Sequence, residues 1–282
     1  GLIRVMERAA RKAGGRLRRD FGEVEHLQVS RKGPADFVSK ADMRAERALY
    51  DELLHARPDW GFVLEEAGII EGDADKPRWI IDPLDGTSNF LHGIPHFAIS
   101  IAVQEPRLDG KGWGDVTAAV VYDVIQDATY WSEKTRGAWL QDARLRVSAR
   151  RNLSDALIAT GIPFQGHGDF AEWSRIFGAI GPEVAGIRRF GAASLDMAYV
   201  AQGRFDRGIL LCKSGIGIAI VANKVPGIRA GACGDVFDAK RSRSHNNTNV
   251  LVMGAEKLSA SQTRRILQAW LTTPFEAGGR HE

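Results

Sequence analysis

The feature that most limits what this chain can fold into is a change of rhythm near Arg207. Upstream, the apolar runs "HFAISIAVQ", "DVTAAVVYDV", "DATYWSE" and "RGAWLQ" follow one another with turn residues between them, which predicts a largely antiparallel sheet. Downstream, a strand "RGILLC", a glycine-started helix "SGIGIAIVANKV", a strand "GIRAGAC", a helix "DAKRSRSHN", a strand "NVLVMG" and a helix "SASQTRRILQAWLTT" alternate. That alternation is the mark of a parallel α/β unit. The chain is α/β throughout but carries two construction plans, and its 282 residues exceed the usual size of one hydrophobic core.

Helices are expected elsewhere. Residues 1–20 read as an amphipathic helix rich in Arg and Ala. "FVSKADMRAERALYDELLHARPDW" reads as a second, with Ser39 and Asp42 at capping-box spacing and Pro58 as the stop. In "GAASLDMAYVAQGRFD" the spacing of Leu195, Ala198, Tyr199 and Gln202 is helical, and Gly203 reads as its cap. A net charge of +3 is too small to argue for nucleic acid or an anionic membrane surface as partner. The basic clusters Arg144–Arg151 and Lys240–Arg243 read as solvated faces. No run approaches the roughly 20 apolar residues of a membrane span, and no signal segment opens the chain. The first residue, Gly1, reads as a trimmed, processed or fragmentary start. Two cysteines cannot make a disulfide framework, which fits a reducing cytoplasm.

The chemistry concentrates in "WIIDPLDGTSNFLHGIPHF", residues 79–97, and in "GFVLEE" before it. Each has a short apolar run ending in acids. Pro83 fixes φ, so a turn is expected to carry Asp82 and Asp85 and converge both carboxylates on one point. Such carboxylates repel unless a cation lies between them, and oxygen-only ligation favours Mg²⁺ or another hard ion. Gly86 permits close backbone approach, and the N–H groups of Gly86, Thr87 and Ser88 can hold a phosphate. Thr87 can orient a water. Together these groups suit hydrolysis of a phosphate ester. The plainer reading is an Asx-rich turn without an ion.

The string "DPLDGTSNF", between "WII" and "HGIPHFAISIA", closely resembles the signature of the inositol monophosphatase family. The resemblance covers residues 1–206: "KGPADFVSKAD", "FVLEEAG" (with Leu64 where the family has glycine), "ATGIPF" and "GAASLDMAYVAQGRFD" resemble further family blocks. It implies a layered α+β sandwich. It also implies Mg²⁺ held by the carboxylates of Glu65, Asp82 and Asp85 and the backbone carbonyl of Leu84, with Lys32 and Asp42 near the metal. Thr87 would help activate a water attacking phosphorus in line, the Gly86 and Thr87 amides would hold the phosphate, and Ala193 would line the polyol site. The implied substrate is inositol monophosphate or a similar polyol or sugar phosphate, with two or three Mg²⁺ ions and inhibition by Li⁺.

After "GRFD" this resemblance stops. The family continues with a Trp-Asp pair whose aspartate is a metal ligand, and no Trp-Asp follows Asp206 here. Residues 207–282 instead resemble the C-terminal half of a type B ribose-5-phosphate isomerase, in the wider family with galactose-6-phosphate isomerase. "CKSGIGIAIVANKVPGIRAGACGD", "RSHNNTNVLVMGAEKL" and "AWLTTPFEAGGRH" carry it. That resemblance implies a partial Rossmann-like α/β unit. It assigns Cys212 as the base, Ser214 to the enediolate, Gly215 and Gly217 to an anion loop, His245 to ring opening and Arg280 to phosphate, although Lys213 replaces the glycine usual after the cysteine. The expectation is a chimera of two truncated folds. Residues 1–206 would keep one or two Mg²⁺ ions but not a third, with impaired turnover, and would expose apolar surface where their second sheet is incomplete. The alternatives are a metal-independent aldose–ketose isomerase using Cys212, or a binding protein without turnover. A small phosphate ester is the expected partner and a homodimer a possible assembly.

Overall fold

The computed structural model describes residues 1–27, 34–107, 112–150, 152–162, 170–212, 214–215, 219, 222–223, 228–254 and 257–276. Lys32, Lys213, Gly217 and Arg280 lie outside the described residues, as do most of "SGIGIAIVANKV" and the side chains of Ser39 and Cys212. The chain divides into two compact units, Gly1–Arg144 with Gly191–Leu195, and Leu145–Phe190 with Asp196–Glu282.

In the first unit, helices α1 (Leu2–Leu27) and α2 (Pro34–Ala56) accompany an eight-stranded sheet of order β2-β1-β3-β4-β5-β6-β7-β8. Its strands are β1 (Gly61–Val63), β2 (Ile69–Ile70), β3 (Arg78–Asp85), β4 (Ala98–Pro106), β5 (Trp113–Asp123), β6 (Ala128–Glu133), β7 (Gly137–Leu140) and β8 (Ala143–Arg144). Only the β1–β3 pair is parallel. Met6, Ala9, Ala10, Ala13 and Leu17 fall on one face of α1 and are buried. They join Ala41, Ala45, Ala48, Leu49 and Leu53 of α2 in a single core. The small alanines allow the helices to approach closely. From the sheet, Trp79 and Ile81, then Ile99, Ile101 and Val103, then Ala118, Val120 and Tyr122 enter that core at every second position, which is the strand period.

Helix α2 corrects one expectation. It starts at Pro34, five residues before Ser39, so the Ser39–Asp42 spacing is interior and not a cap. Proline in the first turn loses no intrahelical bond and presets φ, which is why the helix extends back to it. Its end at Ala56 agrees with the stop at Pro58.

The second unit holds a fully parallel five-stranded sheet of order β10-β9-β11-β13-β12. The strands are β9 (Leu157–Thr160), β10 (Gly186–Arg188), β11 (Arg207–Cys212), β12 (Ala230–Ala232) and β13 (Val250–Gly254). Helices α4 (Phe170–Ile180), α6 (Val236–Ser244) and α7 (Ala260–Thr272) belong to it, and α5 (Ala193–Ala201) crosses the boundary at residue 195. The short α3 (Thr87–Leu91) belongs to the first unit. Ile158, Ile176, Ile180, Ile209, Leu251, Met253, Ile266, Leu267 and Trp270 form the core of this second unit.

The change of rhythm at Arg207 therefore does not separate two sheets. β11 pairs with β9 on one side, Arg207 opposite Ile158, and with β13 on the other, Leu210 opposite Val252. The three downstream strands complete a sheet that β9 and β10 begin, because their exposed ladder groups are as good a partner for β9 as any other parallel strand. The Lys240–Arg243 cluster is also not a uniformly solvated face: Arg243 is only 5% exposed. No helix among the described residues is long and apolar enough to cross a membrane.

Candidate functional site

Strand β3 ends in "DPLD", and its register against β4 shows why both acids emerge together. Asp82 lies opposite Ser100 and Asp85 opposite Ala98, so β3 has one more residue than β4 between these pairs. Pro83 has no N–H to give to the ladder, and a bulge is where a strand tolerates that loss. Without the bulge, residues three apart would face opposite sides of the sheet. The extra residue restores the parity: Asp82 and Asp85 are both half-buried, while Pro83 and Leu84 between them are buried. A bulged strand end carries the acids, in place of the expected turn.

Directly after Asp85, Gly86 adopts φ 99°, and α3 begins at Thr87. A Cβ at Gly86 would stand 3.1 Å from the His96 carbonyl oxygen and 3.2 Å from the Phe97 Cβ. The Thr87 hydroxyl donates to the Leu84 carbonyl at 2.9 Å. Thr87 and Ser88 are exposed. The Asp82 carboxylate accepts the Leu84 N–H at 3.1 Å. Asp85 is held differently. Its Oδ1 accepts the Ala193 N–H at 3.1 Å, and its Oδ2 accepts the Ser194 N–H at 2.7 Å and the Ser194 hydroxyl at 2.5 Å. It thereby fixes the start of α5, bringing Ala193 beside the strand end.

Glu65 follows β1 at the adjacent strand end, and Glu65 and Asp82 share a carboxyl–carboxyl hydrogen bond. Burial, then Asp85 and Glu65, push the Asp82 carboxyl up to about 8. Burial, with Glu66, Asp85 and Glu46, also raises that of Glu65, against the hydrogen bond from Asp82. Asp42 on α2 is pushed up to about 7 by burial and by Glu65, Glu66 and Glu46. Burial raises Asp85 too, opposed by its bonds to Ser194 and Ala193. One helical turn after Asp42, Glu46 accepts the N–H groups of Glu66 at 2.9 Å and Ala67 at 3.1 Å, which fixes the loop that presents Glu65. Sequence reasoning missed Glu46 and Ser194. The signals were the i, i+4 acidic pair on α2 and the hydroxyl beside Ala193.

The donor chemistry fits a hard divalent cation. Neighbouring acids act on Asp42, Glu65 and Asp82, and among the described residues Asp42 Oδ1 is buried without a hydrogen-bond partner. Without a cation, the raised pKa values favour protons on this cluster. Among the described residues, no three His, Cys, Asp or Glu side chains already stand in ligating geometry. The bonds from Asp85 to Ala193 and Ser194 contribute to that, because they direct both of its oxygens to the start of α5.

In the second unit, Cys212 ends β11 opposite Gly254, the last residue of β13, and Ser214 and Gly215 follow on the same edge. His245 caps the end of α6, five residues before β13 begins at Val250, so it lies at the opposite edge. A five-residue strand of about 13 Å separates them within one chain. Two acids that could replace the absent later aspartate are already engaged here. Asp206 accepts bonds from Ser148, Arg150 and the Leu157 N–H. Asp235 caps α6 through the Asp238 N–H at 2.8 Å.

The family model "Inositol monophosphatase family" matches residues 2–214, and "Ribose/Galactose Isomerase" matches residues 192–282. An inositol-1-monophosphatase of Rhizobium meliloti is 54% identical over 205 residues, 73% of this chain and 74% of that one. A Nus factor SuhB of Pseudomonas aeruginosa is 40% identical over 209 residues, 73% of this chain and 74% of that one. Among solved structures, the extragenic suppressor protein SuhB of Bartonella henselae aligns with a TM-score of 0.64 at 48% identity, covering 73% of this chain and 76% of that one. The inositol monophosphatase of Anabaena aligns with a TM-score of 0.58 at 26% identity, covering 73% of each.

Proposed function

Because the chain belongs to the inositol monophosphatase family, we propose that it is a Mg²⁺-dependent phosphomonoesterase acting on inositol monophosphate or a similar polyol or sugar phosphate, with impaired turnover. The observation that carries this reading is the bulged end of β3, which gathers acids that raise one another's pKa.

Glu65, Asp82 and the Leu84 carbonyl would hold the ion, joined by Asp85 if it gives up a bond to Ser194. When bound, a divalent ion supplies Lewis acidity to a phosphoryl oxygen and makes water a stronger acid at neutral pH. The Thr87 hydroxyl donates a hydrogen bond to the Leu84 carbonyl. Its oxygen lone pairs are then left to accept a hydrogen bond from the attacking water, which orients that water. The amides of Gly86, Thr87 and Ser88 hold the phosphate, and the left-handed Gly86 lets the backbone come close to it. Ala193, brought to the site by Asp85, lines the place of the leaving alcohol.

The later aspartate of the family has no counterpart, and Asp206 and Asp235 are engaged inside the second unit. One or two ions are therefore retained and a third is not. Misplacing the attacking water by about 1 Å can cost on the order of a hundredfold in rate. The isomerase reading has less support, since Cys212 and His245 occupy opposite edges of one sheet.

The test is phosphate release from inositol 1-phosphate with and without Mg²⁺, comparing the parent with Asp82→Asn. Slow, Mg²⁺-dependent release that Asp82→Asn abolishes supports the reading. No release from a folded parent that still binds Mg²⁺ by titration calorimetry leaves a binding site without catalysis and sinks it.

A further inference from the structure

The starts of parallel strands share one edge of their sheet, and in the second unit that edge gathers arginines. Arg207 opens β11, Arg229 immediately precedes β12, and Arg243 lies in the last turn of α6, which leads into β13. Two of the guanidinium groups share one indole: Arg207 Cζ is 5.4 Å and Arg243 Cζ 5.6 Å from the centre of the Trp270 ring. Trp270 is itself fixed by donating to the Thr248 hydroxyl at 2.8 Å.

Neutral partners satisfy only part of this cluster. Arg229 Nε donates to the Asn247 carbonyl at 2.7 Å. Arg243 donates to the Asn247 side-chain oxygen at 3.3 Å and to the Thr248 carbonyl. Among the described residues, the Nε atoms of Arg207 and Arg243 are buried and meet no hydrogen-bond partner. Among the described residues, the one acid acting on the cluster is Asp206, and its oxygens already serve Ser148, Arg150 and the Leu157 N–H. Stacking on an indole attracts a cation, but it does not cancel repulsion among neighbouring cations removed from water. Burial lowers the pKa of all three arginines, and for Arg243 repulsion from Arg207 and Arg229 adds to burial to bring it to about 9.

We propose that this edge of the sheet is a binding site for a compact oxyanion of the phosphate class, held by Arg207, Arg229 and Arg243. Guanidinium forks match phosphate oxygens two at a time, and a doubly charged anion offsets three neighbouring cations better than a single carboxylate does. The site is made within the second unit and needs no metal. Its residues differ from those of the acidic strand end, which belongs to the first unit and favours a cation.

The experiment uses the full chain in EDTA, with inorganic phosphate as the probe and chloride at matched ionic strength as the reference. Phosphate is expected to raise Tm above the chloride value. Arg207→Gln and Arg229→Gln are each expected to weaken phosphate binding, measured by calorimetry, about tenfold, with Arg207→Lys retaining part of it. In chloride alone, Arg207→Gln is expected to raise Tm, because it removes one of the repelling charges, whereas a purely structural arginine would lower it on removal. Arg207→Gln should bind Mg²⁺, in the absence of phosphate and EDTA, like the parent, which separates this site from the phosphatase reading. Equal Tm in phosphate and chloride would overturn the proposal. So would phosphate affinity unchanged by both arginine variants.

Discussion

Asp42, Glu65 and Asp82 are carboxyl groups that burial and neighbouring acids push upward. This sets the pH response of the metal-free protein. Asp42 and Asp82 are raised to about 7 and about 8, while an unfolded aspartate titrates at about 3.9. Between those limits the folded state binds more protons than the unfolded one, so stability falls as pH rises. Below about pH 4 both states are protonated and the penalty is absent; above about pH 8 it is fully expressed. Thermal melts in EDTA should therefore show Tm declining from about pH 5 to about pH 8, and added Mg²⁺ should raise Tm most at the alkaline end. A Tm that climbs with pH in EDTA would contradict the raised pKa of these groups. The sequence displayed Asp82, Asp85 and Glu65. It did not show that Asp85 is turned toward Ser194, because that bond joins residues 109 positions apart.

At the scale of elements, the bulge in β3 and the left-handed Gly86 after it are one device. The bulge aligns the acids, and Gly86 turns the chain into α3 while passing close to His96 and Phe97. Gly86→Ala should cost at least about 1–2 kcal/mol, the penalty of a left-handed backbone for an L-residue, before any displacement of Phe97. Urea denaturation should detect that loss, and an unchanged midpoint would show that the loop relaxes freely. Pro83 announced a departure from regular structure, which was legible as a turn. That it is a bulge could not be read from β3 alone, since a bulge exists only relative to the residues of β4 opposite it. Helix α7 was legible as an element, and the structure adds that Ser259 and Gln262 form a reciprocal capping box at the start of "ASQTRRILQAWLT".

For the whole molecule, the consequential fact is that β11 lies inside the second sheet, between β9 and β13. A chain ending at Asp206 would leave β9 and β10 as a two-stranded remnant, and such pairs are at best marginally stable in water. The side chains of Ile158, Ile176 and Ile180 would also lose Ile209, Leu251 and Ile266 from their core. The 1–206 chain should therefore be cleaved rapidly within 145–206 in limited proteolysis, where the full chain resists. Equal resistance of the two chains would mean that the downstream strands contribute little. Some apolar surface stays exposed in the full chain, as Phe170 and Phe177 on α4 show at 61% and 41% exposure, but the second sheet itself is not left open.

The sequence by itself determined the local features: the helices with one apolar face, the alternating strands, the acids at two strand ends, the glycine after Asp85, and the family motifs on either side of Arg207. These follow from periods and residue types read over a few positions. Tertiary structure decided the rest. It joined strands from two family patterns into one parallel sheet, because a parallel ladder asks only for unpaired backbone groups and an apolar face, not for common ancestry. It also turned "KRSR", legible as a solvated charge run, into a partly buried element with Arg243 against Trp270. Burial belongs to what packs on top of a residue, and that is not written in its neighbours along the chain.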